Sequence, residues 1–305
     1  MYRRSVLRWW AHMLAMLGLL CICCACKSRA GTYALELQRT VESEIPNGFS
    51  VSAVESTPEG QILIWSRESS SVLVRTGNHW TRFDIPTSRP IGVGIRGTFP
   101  DLQFTVVDSD NRRIVQREAN GDTEGYVIPG TGVLLRAIQA GDSWYVSERA
   151  DGETRILYVR TGQSAEAIFA SDSTNSSGLQ LHLWRDNHLL VTEIRSPFRS
   201  FGIGPTGDTL VQFHPPRLSG DSTYVALPML PVGERFLQVL SDLNSPMRLF
   251  VTYGASGELL RQESIDAVIG LTHSMPHRPI VVGLQELDVL EVVGFRWVWR
   301  ADTQP

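Results

Sequence analysis

With 305 residues, 42% of them apolar and 20% charged, the chain is long enough for a sizeable core and too apolar to be disordered throughout. Its formal net charge is −4, and loss of Arg3, Arg4 and Arg8 with an N-terminal signal would leave about −7, so no electrostatic term favours nucleic acid as a partner. All four cysteines (Cys21, Cys23, Cys24 and Cys26) lie within the first 26 residues, which excludes disulfides, thiolate metal sites and cysteine nucleophiles from the body of the protein.

Residues 1–26 have the parts of a secretory signal. Arg3, Arg4 and Arg8 make a basic start, an apolar stretch runs from about Trp9 to Cys24, and small Ala25 precedes Cys26. The apolar stretch falls short of the ~20 residues a stable span needs. Its end resembles the lipobox of bacterial lipoproteins, with Ala25 at the small position and Cys26 at the lipidated one. Cys23 stands where that family usually has leucine, so Cys24 is a second candidate, and an ordinary secretory signal or an uncleaved anchor is the alternative. The resemblance implies acyl chains on Cys26, each contributing roughly 0.8 kcal/mol per buried methylene. It also implies a membrane partner reached through that lipid and a place in the bacterial cell envelope. Lys27, rather than Asp, follows the cysteine, which by the same resemblance favours the outer membrane. Residues 27–48 are expected to be a tether, or to supply a strand (32–41) that closes a ring against the last repeat.

From residue 49 onward, short runs of Val, Ile, Leu, Phe, Tyr and Trp alternate with Gly, Asn, Asp, Ser and Pro, which is the signature of an all-β domain. Hairpins with a glycine at the turn recur at Gly77, Gly121, Gly162, Gly207, Gly257 and Gly294, at intervals of 44, 41, 45, 50 and 37 residues. Two more apolar segments precede each hairpin. In the first unit they are residues 49–54 and 62–65, and in the last 268–271 and 280–282. Four antiparallel strands repeating at roughly 40–50 residues is the period of propeller blades. One such sheet cannot bury both faces alone, whereas blades stacked around an axis can. The expected fold is therefore a six-bladed β-propeller of four-stranded antiparallel blades over residues 49–300. The third and fourth strands, with their Ser/Thr/Asn-Gly-Asp/Glu/Asn turns, resemble the outer hairpins of NHL-like propellers. A pair of β-sandwiches is the competing architecture.

The first strand of each unit is expected to line the axial channel, where propellers most often bind their ligands. Its polar residues are Ser52, Glu55, Arg96, Arg136, Gln139, His182, Arg185, Thr272 and His273. Arg96, Arg136 and Arg185 fall in or just after three successive first strands and could capture an anion, because guanidinium forks match carboxylates. Ligand contacts are therefore expected at Arg96, Arg136, His182, Arg185 and His273. The bland alternative is that these side chains hydrate the channel or pair with one another.

Catalytic signatures are sparse. No G-x-S-x-G elbow and no glycine-rich phosphate loop occurs. His273 and His277 are four apart, but Pro276 and the strand context place them in a loop, and no HExxH glutamate accompanies them. Calcium or zinc would be needed only by a lactonase- or esterase-like hydrolase. For that chemistry the first strands offer Glu55 without matching Asn or Asp. No cofactor is expected, and no catalytic or metal residue is assigned. The leading expectation is a non-catalytic envelope propeller that binds a protein or a small molecule. The alternatives are a metal-dependent hydrolase and a sensor of an anionic ligand.

Overall fold

Runs of β-branched and aromatic residues, interrupted by turn-forming ones, leave the backbone little choice but antiparallel hairpins. The computed structural model describes residues 33–299 apart from 47–48, 57–60, 78, 86, 98–101, 118–122, 161–162, 172–177, 186, 219–223, 245–246, 267–271, 275–279 and 287–289; side chains are described only within residues 45–264. The signal and lipidation residues, Cys26 included, lie outside the described residues. No helix occurs among the described residues, so none is long and apolar enough to cross a membrane. Residues 37–296 form one compact unit, and the described residues 33–36 and 297–299 fall in a second.

Strand β1 (Tyr33–Glu44) comes first. Five blades then follow in chain order. The first is β2 (Ala53–Ser56), β3 (Ile62–Ser66), β4 (Ser71–Thr76) and β5 (His79–Asp84), and the second is β6 (Pro90–Arg96), β7 (Gln103–Asp108), β8 (Arg113–Arg117) and β9 (Thr123–Val127). The third is β10 (Val133–Ala140), β11 (Ser143–Ala150), β12 (Glu153–Arg160) and β13 (Glu166–Ser171). The fourth is β14 (Leu179–Trp184), β15 (His188–Glu193), β16 (Ser200–Ile203) and β17 (Thr209–Phe213). In the fifth, β18 (Tyr224–Ala226) and β19 (Leu230–Val232) both pair with β20 (Arg235–Asp242), followed by β21 (Met247–Tyr253) and β22 (Leu259–Asp266). The sequence places a single first strand at residues 224–227 in this unit; the structure adds β19 beyond Pro228, which has no backbone N–H to give to a ladder.

The structure thus shows five blades of four-stranded antiparallel type built from consecutive strands, not the six expected. The remaining sheet is composite. It joins β23 (Thr272–Ser274), β24 (Ile280–Glu286) and β25 (Leu290–Trp299) to β1, in the order β1-β25-β24-β23. Gly294 was expected to turn a sixth hairpin. Instead the chain runs straight through it, with Gly294 opposite Val282 in the β24–β25 ladder. The physical reason is local. Gly294 stands between Val293 and Phe295, two strand formers, and lacks the Asn, Asp, Ser or Thr neighbours that shape the other turns.

First strands of successive sheets lie side by side: β6 with β10, β10 with β14, β14 with β19, β19 with β23 and β23 with β2. The core is the material between blades. Ile91, Val107 and Ile114 of blade two pack with Leu134, Trp144 and Leu157 of blade three. Tyr145 and Ile156 of blade three meet Leu181, Leu189 and Ile203 of blade four. Phe213 of blade four meets Phe236 and Tyr253 of blade five edge-on, with ring centroids 4.9 and 5.3 Å apart. Such face-to-face burial between sheets defines a β-propeller and excludes separate sandwiches.

Two of the turn glycines, Gly207 and Gly257, do more than permit positive φ. Gly207 (φ +89°) lies so close to the last strand of blade three that a Cβ would fall 2.1 Å from the Ile168 carbonyl oxygen. Gly257 (φ +85°) sits the same way on blade four, 2.3 Å from the Gln212 oxygen. Each turn therefore seats its hairpin on the preceding blade.

Candidate functional site in the axial channel

Glu55 is the third residue of β2, opposite Leu63 of β3, and its neighbours Ala53 and Val54 point into the core. Arg136 lies on β10 directly after a register break at Leu134, opposite Ser147, whose Oγ donates to the Arg136 carbonyl at 3.3 Å. Irregularities of this kind re-aim the following side chain. Both side chains are half-buried.

Electrostatics tie the two together. Burial pushes the Glu55 carboxyl up to about 7, and the Arg136 charge opposes that rise. Burial also lowers the Arg136 guanidinium; Glu55 works against this, and the positive charge of Arg67 adds to it. Arg67 occupies the turn between β3 and β4. Its backbone N–H donates to Ser52 Oγ at 2.8 Å and its Nε to the Pro90 carbonyl at 3.3 Å, which fixes it at the start of β6. No hydrogen bond or ion pair joins Glu55 to Arg136 among the described residues, and each charge acts on the other through space.

The buried acids elsewhere in the described structure behave differently. Glu148, on β11, is fully buried. Its Oε1 accepts from Arg112 Nη2 at 2.9 Å and from the Gly132 N–H at 3.1 Å, and its Oε2 accepts from Arg155 Nη2 at 2.6 Å. Glu193, ending β15, accepts from Ser171 Oγ at 3.0 Å and from Arg199 Nη2 at 2.6 Å. Asp108, ending β7, accepts from the Asn111 amide at 2.7 Å and lies 3.7 Å from Arg113 Nε. In the fifth blade Asp242, ending β20, acts on Arg248. An acid near the end of the second strand and an arginine at the next strand thus recur in four blades. Arg112 and Ser171 carry two of these clusters across to the neighbouring blade. They are structural ties, and reading each hairpin separately misses them. Aligning the four units would have shown the repeat. The first unit departs from it: Ser66 ends β3, and Arg67 turns towards the channel side instead.

The structure brings Ser52 to Arg67 through a hydrogen bond, while Glu55 and Arg136 act on each other through their charges. Gln139 turns away along its own hairpin, donating to the Gly141 carbonyl at 3.0 Å and lying over Gly94 of β6. His182 is buried on β14 opposite Leu190. Arg185 lies in the exposed turn after β14 and stacks over Trp184 at 5.2 Å; Trp184 in turn packs against Phe236 of blade five, so this guanidinium sits at a blade seam. Arg96 ends β6, and Thr272 and His273 lie on β23; their side chains are outside the described residues, as is His277. Of the three arginines the sequence suggested, Arg185 lies at the seam of blades four and five and Arg136 on β10. The charges of Glu55 and of Arg67, which sequence reading overlooked, act on Arg136. Among the described residues no cluster of three His, Cys, Asp or Glu side chains is placed to hold a metal.

A shallow cleft of about 480 Å³ opens elsewhere, between His214 and Arg217 after β17 and residues Glu258–Gln262 of blade five. Its walls are tied to each other, the Arg217 N–H donating to Gln262 Oε1 at 3.1 Å. It lies along outer strands, away from the channel.

Fold and channel together define a β-propeller with charged side chains on its first strands. Solved structures agree on the fold. A member of the DUF4221 family from Bacteroides vulgatus superposes with a TM-score of 0.60 at 6% identity, covering 90% of this chain and 100% of that one. The PQQ-bound aldose sugar dehydrogenase from Streptomyces coelicolor gives 0.57 at 12% identity (88% and 99% covered), and a virginiamycin B lyase from Staphylococcus aureus gives 0.51 at 11% identity (86% and 99% covered). No family model and no curated protein matches the chain. At such identities the likeness concerns the fold alone, since propellers host unrelated activities.

Proposed function

We propose that this chain is a non-catalytic binding propeller of the bacterial cell envelope, which captures a small polar ligand in its axial channel at Arg136 and Glu55. One observation carries the reading. Glu148, Glu193 and Asp108 have their carboxylates filled by partners that hold the fold together, whereas Glu55 and Arg136 sit among protein without hydrogen-bonding each other. Charged groups kept from water at a cost, and not used by the fold, are the mark of a binding site.

In this reading the composite sheet counts as a sixth blade. The side-by-side order of first strands, running from β19 to β23 and from β23 to β2, supports it, and β1 then closes the ring. A lipid on Cys26 would hold the propeller at the membrane, most naturally the outer one, as the Ala25-Cys26-Lys27 sequence suggests. The NHL-like character of the hairpins belongs to the same proposal.

The test is ligand-dependent melting of the full-length chain in detergent, with a panel of anions, amino acids and small polar metabolites. A ligand that binds only the folded form raises Tm. The reading expects at least one such ligand, with the rise lost in Arg136→Gln. A panel without effect, or a rise untouched by Arg136→Gln, would remove the channel from the account.

A further inference from the structure

The cleft of about 480 Å³ at the seam of blades four and five has a framed construction. One wall is Glu258 with residues 259–262 of β22, the last strand of its sheet. Successive strand residues point to opposite faces, so a cleft lined by all four follows the strand edge. The other wall is the segment 214–217 that leaves β17. Pro215 and Pro216 fix φ and stiffen it, and Pro216 is buried. Hydrogen bonds bridge the walls at both ends. The His214 N–H donates to the Gly257 carbonyl at 3.1 Å. At the other end the Gln262 side chain grips the Arg217 backbone, its Oε1 accepting from the N–H at 3.1 Å and its Nε2 donating to the carbonyl. A slot shut at both ends admits a small molecule from its open side and leaves no path for an extended chain along its length. Its volume is that of a small-molecule site.

The charged groups of the cleft are not equivalent. Glu258 is folded back on its own turn: its Oε2 accepts from Ser256 Oγ at 2.6 Å, and a Cβ on Gly254 would fall 1.9 Å from its Oε1. Arg261 is closed on Glu263. The Arg217 guanidinium has no hydrogen bond or ion pair with any described residue, although its backbone is clamped. It is an open fork on a held main chain. Leu260, 45% exposed, adds an apolar surface to the same cleft. We propose that this cleft is a second ligand site, separate from the channel, for a small aliphatic monocarboxylate, its carboxylate on Arg217 and its carbon chain on Leu260.

The chemistry of the walls selects this class. A guanidinium fork matches a carboxylate in shape and forms two parallel hydrogen bonds with it. One unpaired positive charge suits one negative charge, whereas a doubly charged anion such as phosphate also meets the Glu258 carboxylate across the slot. An aliphatic tail removes apolar surface of Leu260 from water, and each methylene so covered tightens binding by up to about fourfold. An alcohol of the same chain length lacks the group that Arg217 holds.

The experiment is calorimetric titration of the full-length chain in detergent at pH 7 with acetate, propionate, butyrate, butan-1-ol and inorganic phosphate. It is run in an Arg136→Gln background, which keeps the channel out of the reading; a carboxylate that binds at Arg217 there counts for the cleft and not against the channel. Butyrate is expected to bind at one site per chain, more tightly than propionate and acetate in that order, and at least tenfold more tightly than phosphate or butan-1-ol. Adding Arg217→Gln should weaken butyrate at least tenfold. Adding Leu260→Ser should flatten the dependence on chain length while acetate still binds. Both substitutions fall on exposed side chains, and circular dichroism checks that the strand signal is kept. Phosphate binding as tightly as butyrate would overturn the monocarboxylate. Butyrate binding unchanged by Arg217→Gln, or no binding by any of the five compounds, would overturn the site.

Discussion

Replacing Glu55 by Gln removes a titration that the folded protein suppresses. Its carboxyl moves from an ordinary 4.5 to about 7 on folding, because burial disfavours the charged form more than Arg136 favours it. At 1.36 kcal/mol per pH unit, the native state is penalised by about 3 kcal/mol once the group is ionised in both states. The sign follows from the direction of the shift. The folded protein binds this proton more tightly, so the associated stability is fully present below about 4.5 and is lost as pH rises through about 7. Gln cannot lose a proton and should not follow that decline. Urea unfolding of wild type and Glu55→Gln at pH 5 and pH 8 isolates the term, because other titrating groups cancel in the difference. The variant should gain about 2.5 kcal/mol on wild type between the two pH values, an upper bound if water relieves part of the burial. A difference between the two proteins that stays constant with pH would refute the placement of Glu55 in a desolvated channel.

Three other outcomes follow from the same structure. Glu148→Ala strips the acceptor from Arg112, Arg155 and the Gly132 N–H and should cost about 3–5 kcal/mol in chemical unfolding; a loss under 1 kcal/mol would show that the tie between blades two and three is dispensable. Gly92→Ala forces a methyl group to within 2.3 Å of the Ala137 carbonyl oxygen and should destabilise by about 1–3 kcal/mol or more, read as a lower denaturation midpoint at unchanged slope. Cys26→Ala should move the protein from the membrane fraction to the soluble fraction of fractionated cells, whereas continued membrane retention would point to Cys24 or to an uncleaved anchor.

The blades were legible because their turns announce themselves. Thr76-Gly77-Asn78, Thr206-Gly207-Asp208 and Ser256-Gly257-Glu258 combine a residue that takes positive φ with neighbours that favour turns, and strands flank each one. Gly294 misled for the complementary reason: glycine alone, without that chemistry, was read as a turn when it was a strand residue paired with Val282. The partner of β25 comes from the opposite end of the chain, and no local pattern announces a pairing between residues so far apart. Pro228 was visible, but its effect depends on whether the strand needs that N–H, which only the ladder to β20 decides. Of the channel, sequence gave the strands on which Glu55 and Arg136 lie, because first strands recur with the repeat. It could not show that Glu55 answers Arg136, since this depends on how the ring places blade one relative to blade three. Arg185 falls past the end of β14 and stacks over Trp184, a placement that no local pattern announces. Arg67 escaped notice because turn arginines are common and only its hold on Ser52 and Pro90 sets it apart.

The most direct test is a crystal structure of the protein grown with the ligand that raises Tm most, refined to a resolution that separates Glu55 from Arg136. The account predicts the ligand in contact with Arg136 and Glu55, with Glu148 and Glu193 still closed on their arginines. A direct Glu55–Arg136 ion pair, with the ligand bound elsewhere, would contradict it.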